Sequence, residues 1–204
     1  RGRGVHPLGA YACAAEVMVS IESLLEKDQV VAVGECGLDF NRNFSSTEDQ
    51  LQCYEEQLKL AAAVQKPVFL HQRDAHDAFY DRLKLLRAQL VGAVVHCFTG
   101  NKQELEAYLD LDCYIGITGW VCDKKRGELL RDLVKYIPKE RLLIETDAPY
   151  LTPQNMPSKP KGGRNEPAFL PYVLDKIAVL TGMEPDILAA RTTENARHFF
   201  GIGE

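Results

Sequence analysis

Apolar positions along the chain follow two rhythms. Residues 30–40 read Val-Val-Ala-Val-Gly-Glu-Cys-Gly-Leu-Asp-Phe, small or β-branched residues without alternation, followed by a carboxylate and glycines. Such a run suits a strand buried on both faces, as in a parallel sheet covered by helices. The arrangement recurs. Pro67-Val-Phe-Leu ends in His71, Ala93-Val-Val ends in His96, and Leu142-Leu-Ile-Glu-Thr ends in Asp147. Residues 113–118 form a further strand ending in Gly119-Trp120, and Val5 reads as a stub ending at His6.

Between these strands the spacing becomes that of a helix face. Residues 10–27 carry Val17, Ile21, Leu24 and Leu25. Ser46 can cap a helix with Leu51, Tyr54, Leu58 and Ala62 on one side. Asp74 is the expected cap of the next helix, with Phe79, Leu83, Leu86 and Leu90 inward. Asn101 with Glu104 resembles a capping box for a helix to Asp110. Residues 124–137 read as helical, and 151–165 as a long loop rich in Pro, Gly and Lys, a length more often functional than not. Pro167 opens a helix through Thr181, and two short helices follow, the last stopped by Gly201.

Strand–helix units in series without a hairpin specify a parallel α/β sheet. An open sheet places its site at one switch point, whereas a closed (β/α)8 barrel gathers residues from many strand ends at its C-terminal face. Four strand ends here carry reactive side chains, so a TIM barrel is expected, in one domain over residues 1–204. Five intact strands and a stub leave about two strand–helix units unaccounted for, at roughly 30 residues each. An N-terminally truncated barrel is therefore expected. Open strand edges lead to a second expectation, that this chain self-associates where a complete parent would be a monomer.

Composition narrows the function. The chain has 204 residues and a formal net charge of −5, so its surface as a whole does not attract polyanions. Nucleic-acid contact would have to come from a local basic cluster or a bound metal. Six cysteines without C-x-x-C spacing read as reduced thiols of a cytoplasmic protein. No apolar run reaches the length of a membrane span, and no signal-peptide core appears.

Two histidines and two carboxylates on neighbouring strand ends can surround a divalent cation, and this donor set admits Mg²⁺, Mn²⁺ or Zn²⁺. Cys36 and Cys97 follow Glu35 and His96 directly and are assigned to packing, because successive strand residues face opposite ways. Asp39, His76 and His198 are assigned structural or solvated roles. Arg73, Lys124, Arg126 and Arg164 lie on or beside the loops at the same end, where they can hold phosphates. Tyr150, Trp120 or Phe98 can stack an unpaired base, and His6 can contact the scissile phosphate.

Val-Gly-Glu35-Cys-Gly-Leu-Asp39, His71-x-Arg73-Asp74-Ala, His96-Cys-Phe-Thr-Gly100, Glu145-Thr-Asp147-Ala-Pro-Tyr150 and Arg164-Asn-Glu-Pro167 occur in this order. Together they resemble the TatD family of metal-dependent nucleases over residues 4–204, and Gly-Ile-Thr-Gly-Trp120-Val-Cys-Asp leans toward the TatD branch. The resemblance implies a (β/α)8 barrel of the metal-dependent hydrolase type. It implies a cytoplasmic enzyme that removes nucleotides from 3′ ends of single-stranded DNA or RNA with Mg²⁺, and a DNA-repair role. It maps metal ligands onto Glu35, His71 and His96, with Asp147 as catalytic acid beside the metal. The chain departs from the family pattern in having Leu8 where a second His follows Gly-Val-His-Pro, and Arg1 and Arg3 in strand positions. Two other readings compete, a metal-dependent hydrolase of a small cyclic amide or ester and an inactive barrel fragment.

Overall fold

Six strands run parallel in the computed structural model, which describes residues 1–158 and 160–203. They are β1 (Gly2–Arg3), β2 (Ala32–Asp39), β3 (Val68–Arg73), β4 (Ala93–Val95), β5 (Tyr114–Ile117) and β6 (Leu142–Ile144). Each pairs with the next in chain order, so the sheet runs β1-β2-β3-β4-β5-β6. A doubly wound sheet reverses its order at a switch point, and this one does not. The winding is that of an α/β fold of the TIM-barrel type. β1 and β6 are the two edges among the described residues.

Among the described residues seven α-helices accompany the strands: α1 (Ala15–Leu25), α2 (Thr47–Val64), α3 (His76–Leu86), α4 (Lys102–Asp110), α5 (Glu128–Leu133), α6 (Leu170–Thr181) and α7 (Pro185–Phe200). Among the described residues no helix is long and apolar enough to cross a membrane. Strands β3 to β6 alternate between two apolar clusters. Val68, Leu70, Ala93, Val95, Ile115, Ile117 and Leu142 join the main core with the helices. Val94, Tyr114 and Leu143 face the other way, with Phe69 packed beside them, and Phe199 of α7 plugs that inner face. A period of two then carries the inner face upward from Phe69 to His71, from Val94 to His96, and from Leu143 to Glu145 and Asp147. The reactive side chains are the top layer of the inner face, and aromatic residues close the layer below.

Local departures from the expected elements have visible causes. The first strand is two residues at Gly2–Arg3 rather than a stub at Val5, and a 3-10 turn over Pro7–Ala12 separates it from α1. Asp74 does not cap α3. It sits at φ +53 with its Oδ2 accepting from Asn41 Nδ2, and Ala75 holds the cap position. Residues 124–127 form a turn rather than a helix, because Asp123 Oδ1 accepts from the backbone N–H groups of Lys125 and Arg126. The two short helices expected at the end are one, α7, entered through Pro185 and stopped at Gly201 in the left-handed conformation. The Ser46 and Asn101 caps stand as expected, accepting from Asp49 N and Glu104 N.

Candidate metal centre and cavity

Glu35 owes its direction to an irregularity in β2. Gly34 pairs with Phe69 and Cys36 with Leu70, so Glu35 is the extra residue of a bulge, a device that re-aims a side chain. Cys36 is thereby turned into the main core, as alternation required. Two residues on, Gly37 passes so close to β3 that a Cβ there would lie 1.9 Å from the His71 carbonyl oxygen. Two buried glutamines one heptad apart on α2 then clamp the backbone. Gln50 accepts from Asp39 N and donates to Asp39 O, and Gln57 does the same for Val5, next to His6.

Three imidazoles converge on one oxygen. Glu35 Oε1 lies 2.7 Å from His96 Nε2, 2.9 Å from His71 Nδ1 and 3.3 Å from His6 Nε2. Burial works against the charged carboxyl of Glu35, but hydrogen bonds from the three rings outweigh it and hold the group far below the usual carboxylate range. Each outer ring nitrogen also has a partner. His71 Nε2 faces Asp39 Oδ2 at 3.1 Å, His96 Nδ1 faces Glu145 Oε2 at 3.4 Å, and His6 Nδ1 accepts from Leu8 N at 3.1 Å. Burial opposes a charged His96, yet Glu145 and Glu35 push the ring up to about 10. Asp147 faces the group from the end of the β6 segment. Burial raises its carboxyl above the ordinary range, His96 partly offsets this, and Glu145 and Glu35 add to it.

These residues line one cavity of about 580 Å³ at the C-terminal ends of the strands. It brings together Glu35, His71, His96 and Asp147 with His6, Arg73, Trp120 and Arg126. Arg164 is exposed in the long loop and is not among the cavity's lining residues, nor is Lys124. Phe98 is buried edge-on to Tyr108 in the core and offers no stacking face. Trp120 carries the Arg126 guanidinium 4.3 Å from its ring centroid and that of Arg73 at 5.6 Å.

Three participants escaped the sequence reading. Asp39, assigned as a turn acid, is fully buried against His71, and Glu145 holds both His96 and the backbone N–H of Cys97. Arg42 reaches the cavity wall from the loop after β2. The signal for the two acids was parity: Asp39 lies four residues beyond Glu35, and Glu145 two before Asp147.

The donor set fits a divalent cation. His6, Glu35 and His71 each offer a ligand atom within 4.8 Å of the others, His96 reaches the same Glu35 oxygen, and no thiolate takes part.

Comparison with known proteins identifies the family. The family described as TatD related DNase matches residues 2–201. A protein of Rahnella sp. (strain Y9602) named 3'-5' ssDNA/RNA exonuclease TatD is 53% identical over 199 residues, 98% of this chain and 76% of that protein. The Salmonella typhimurium protein of the same name is 49% identical over the same shares. A TatD homologue of Escherichia coli K12 has a TM-score of 0.88 at 31% identity, covering 99% of this chain and 76% of that one. With the family match spanning nearly the whole chain, this protein belongs to the TatD-related DNase family.

Proposed function

We propose that the chain is a metal-dependent nuclease that removes nucleotides from the 3′ end of single-stranded DNA or RNA, with Mg²⁺ as the working metal. One observation carries the reading: three imidazoles converge on Glu35, opposite Asp147, in a cavity rimmed by arginines and a tryptophan. Glu35, His71 and His96 would hold the cation, with Asp147 beside it. A bound divalent cation polarises the phosphate and acidifies water.

The remaining work falls to the chain's own groups. Asp147, facing the imidazoles across the cavity, accepts the proton of the attacking water. Arg42, Arg73 and Arg126 meet the phosphate charge at the mouth on a chain whose formal net charge is −5. Trp120, and the exposed Tyr150, offer flat faces on which any base can stack, which suits substrates of mixed sequence. A small cyclic amide would have no use for three arginines, and no feature of the cavity favours that reading.

The test is digestion of a 5′-labelled single strand. A ladder shortening from the 3′ end, abolished by chelator, slowed by rising salt and weak on blunt duplex, is expected. An uncut strand under saturating Mg²⁺ refutes the proposal.

A further inference from the structure

Asp39 is fully buried and is not among the residues lining the cavity, yet its carboxylate reaches two parts of the site. Oδ2 lies 3.1 Å from Nε2 of His71, the outer nitrogen of a ring in the metal cluster. Oδ1 accepts the backbone N–H of Asn41 at 3.1 Å and that of Arg42 at 2.9 Å, and so closes the turn after β2. That turn sets two side chains. Arg42 reaches the cavity wall from it, with its Nε 4.0 Å from Asp39 Oδ2. Asn41 donates Nδ2 to Asp74 Oδ2 at 2.7 Å, and the Nε of Arg73 stands 4.0 Å from the same oxygen. A turn of this kind needs one acceptor, which Asn or Ser supplies as well as Asp. It needs neither a buried charge, which is costly, nor a second oxygen against an imidazole.

We infer that Asp39 is a positioning residue that couples the metal centre to the arginines at the cavity mouth. Oδ2 fixes the ring of His71, while Oδ1 fixes the turn that aims Arg42 and, through Asn41 and Asp74, steadies Arg73. The inference rests on the nuclease reading and names a residue that prepares its site without touching substrate. Gln50 makes the side chain's part separable from the backbone's. It bonds both the N–H and the C=O of Asp39, so the end of β2 stays held when the side chain is shortened.

Asp39→Asn separates the two oxygens. Its amide oxygen can still accept from Asn41 N and Arg42 N, but its NH₂ turns a donor toward His71. Calorimetric Mg²⁺ affinity should fall roughly 10- to 100-fold in Asp39→Asn and in Asp39→Ala, and stay within about 3-fold of wild type in Arg42→Ala. Anisotropy of a labelled single strand in EDTA reads the arginines without metal. There Asp39→Asn should stay within about 3-fold of wild type, while Asp39→Ala and Arg42→Ala should each weaken binding roughly 10-fold. Added to Asp39→Asn, Arg42→Ala should still cost its full factor of roughly 10; added to Asp39→Ala it should cost about 2-fold or less. The backbone amide signals of Asn41 and Arg42 should shift in Asp39→Ala and hold in Asp39→Asn. A merely structural Asp39 would lower both affinities together and leave the cost of Arg42→Ala the same in every background. That result overturns the inference, as does wild-type Mg²⁺ affinity in Asp39→Asn. If Asp39→Ala does not fold, Asp39→Asn with and without Arg42→Ala decides alone. If wild type neither binds nor cuts any strand, the nuclease reading fails, while the Mg²⁺ titration and the amide signals still decide what Asp39 holds.

Discussion

Adding one methyl group at Gly37 tests how the site is built. Gly37 sits at φ +141, opposite His71 in the ladder, and its missing Cβ would stand 1.9 Å from the His71 carbonyl oxygen. An ordinary carbon–oxygen approach is about 3.3 Å, so Gly37→Ala must part β2 from β3 by roughly 1.4 Å at the residue that carries His71. Two costs add. Holding alanine in a backbone region that is nearly glycine's own costs about 1–3 kcal/mol. Forcing the strands apart adds about 1–3 kcal/mol of overpacking. The sum, roughly 2–6 kcal/mol, is a large part of a typical domain stability of about 5–15 kcal/mol. Gly162→Ala is the control: φ is +76, but nothing lies within 4 Å of the added carbon, so only backbone strain of about 1–2 kcal/mol remains. Urea unfolding of both variants separates the terms. Where Gly37→Ala still folds, a His71 displaced by about 1 Å should lower turnover by roughly 10²-fold. Equal destabilisation in the two variants, with wild-type metal affinity in Gly37→Ala, would refute the close-approach argument.

Three further outcomes follow from the cavity. Asp147→Asn should bind Mg²⁺ nearly as wild type yet lose roughly 10²–10⁴ in kcat, measured at saturating metal, and an undiminished rate would remove Asp147 as the base. Trp120→Ala should raise KM for oligonucleotides by roughly 5- to 150-fold, the equivalent of about 1–3 kcal/mol of stacking, while Arg73→Ala should reduce the salt slope of binding by about one. Asp123 accepts from Arg126 N, the Arg126 side chain and Lys125 N, and these bonds, the Arg126 backbone first, outweigh burial and hold its carboxyl down at about 2. Because the folded value lies below the unfolded one, its stabilisation is full above about pH 4 and is lost as pH falls toward 2. Acid titration of the thermal midpoint should therefore be flatter over that window in Asp123→Asn.

What could be read from the sequence was whatever rests on repetition. Unalternating apolar runs marked β2, β3, β4 and β6, and their common ending in a His or carboxylate marked the site. Residues acting through another residue were harder to see. Asp39 looks like a turn acid because a Gly-Leu pair precedes it and Asn41-Arg42-Asn43 follows, yet β2 runs to Asp39 and turns it onto His71. Arg164 looked useful because it lies in a basic loop. Asn165 beside it does the structural work instead, donating to Thr146 O and Tyr150 O and so fixing the Asp147 turn. The Asp74 cap was misread because Asn41, 33 residues away, captures its carboxylate, a contact no local pattern encodes.

The strictly sequential strand order has a consequence in time. Glu35 meets His71 across 36 residues and His96 across 61, and the cavity wall at Asp147 lies 112 residues beyond Glu35. No short stretch of the chain holds the site. At a synthesis rate of roughly 5–20 residues per second, about 6–22 s separate the emergence of Glu35 from that of Asp147. Late in that interval, once His96 has emerged, a nascent chain carries the imidazoles without the base. Even after Asp147 emerges, the β6 segment must dock before it faces them. A nuclease wound in this order has no complete cutting centre until its β6 segment has emerged and docked.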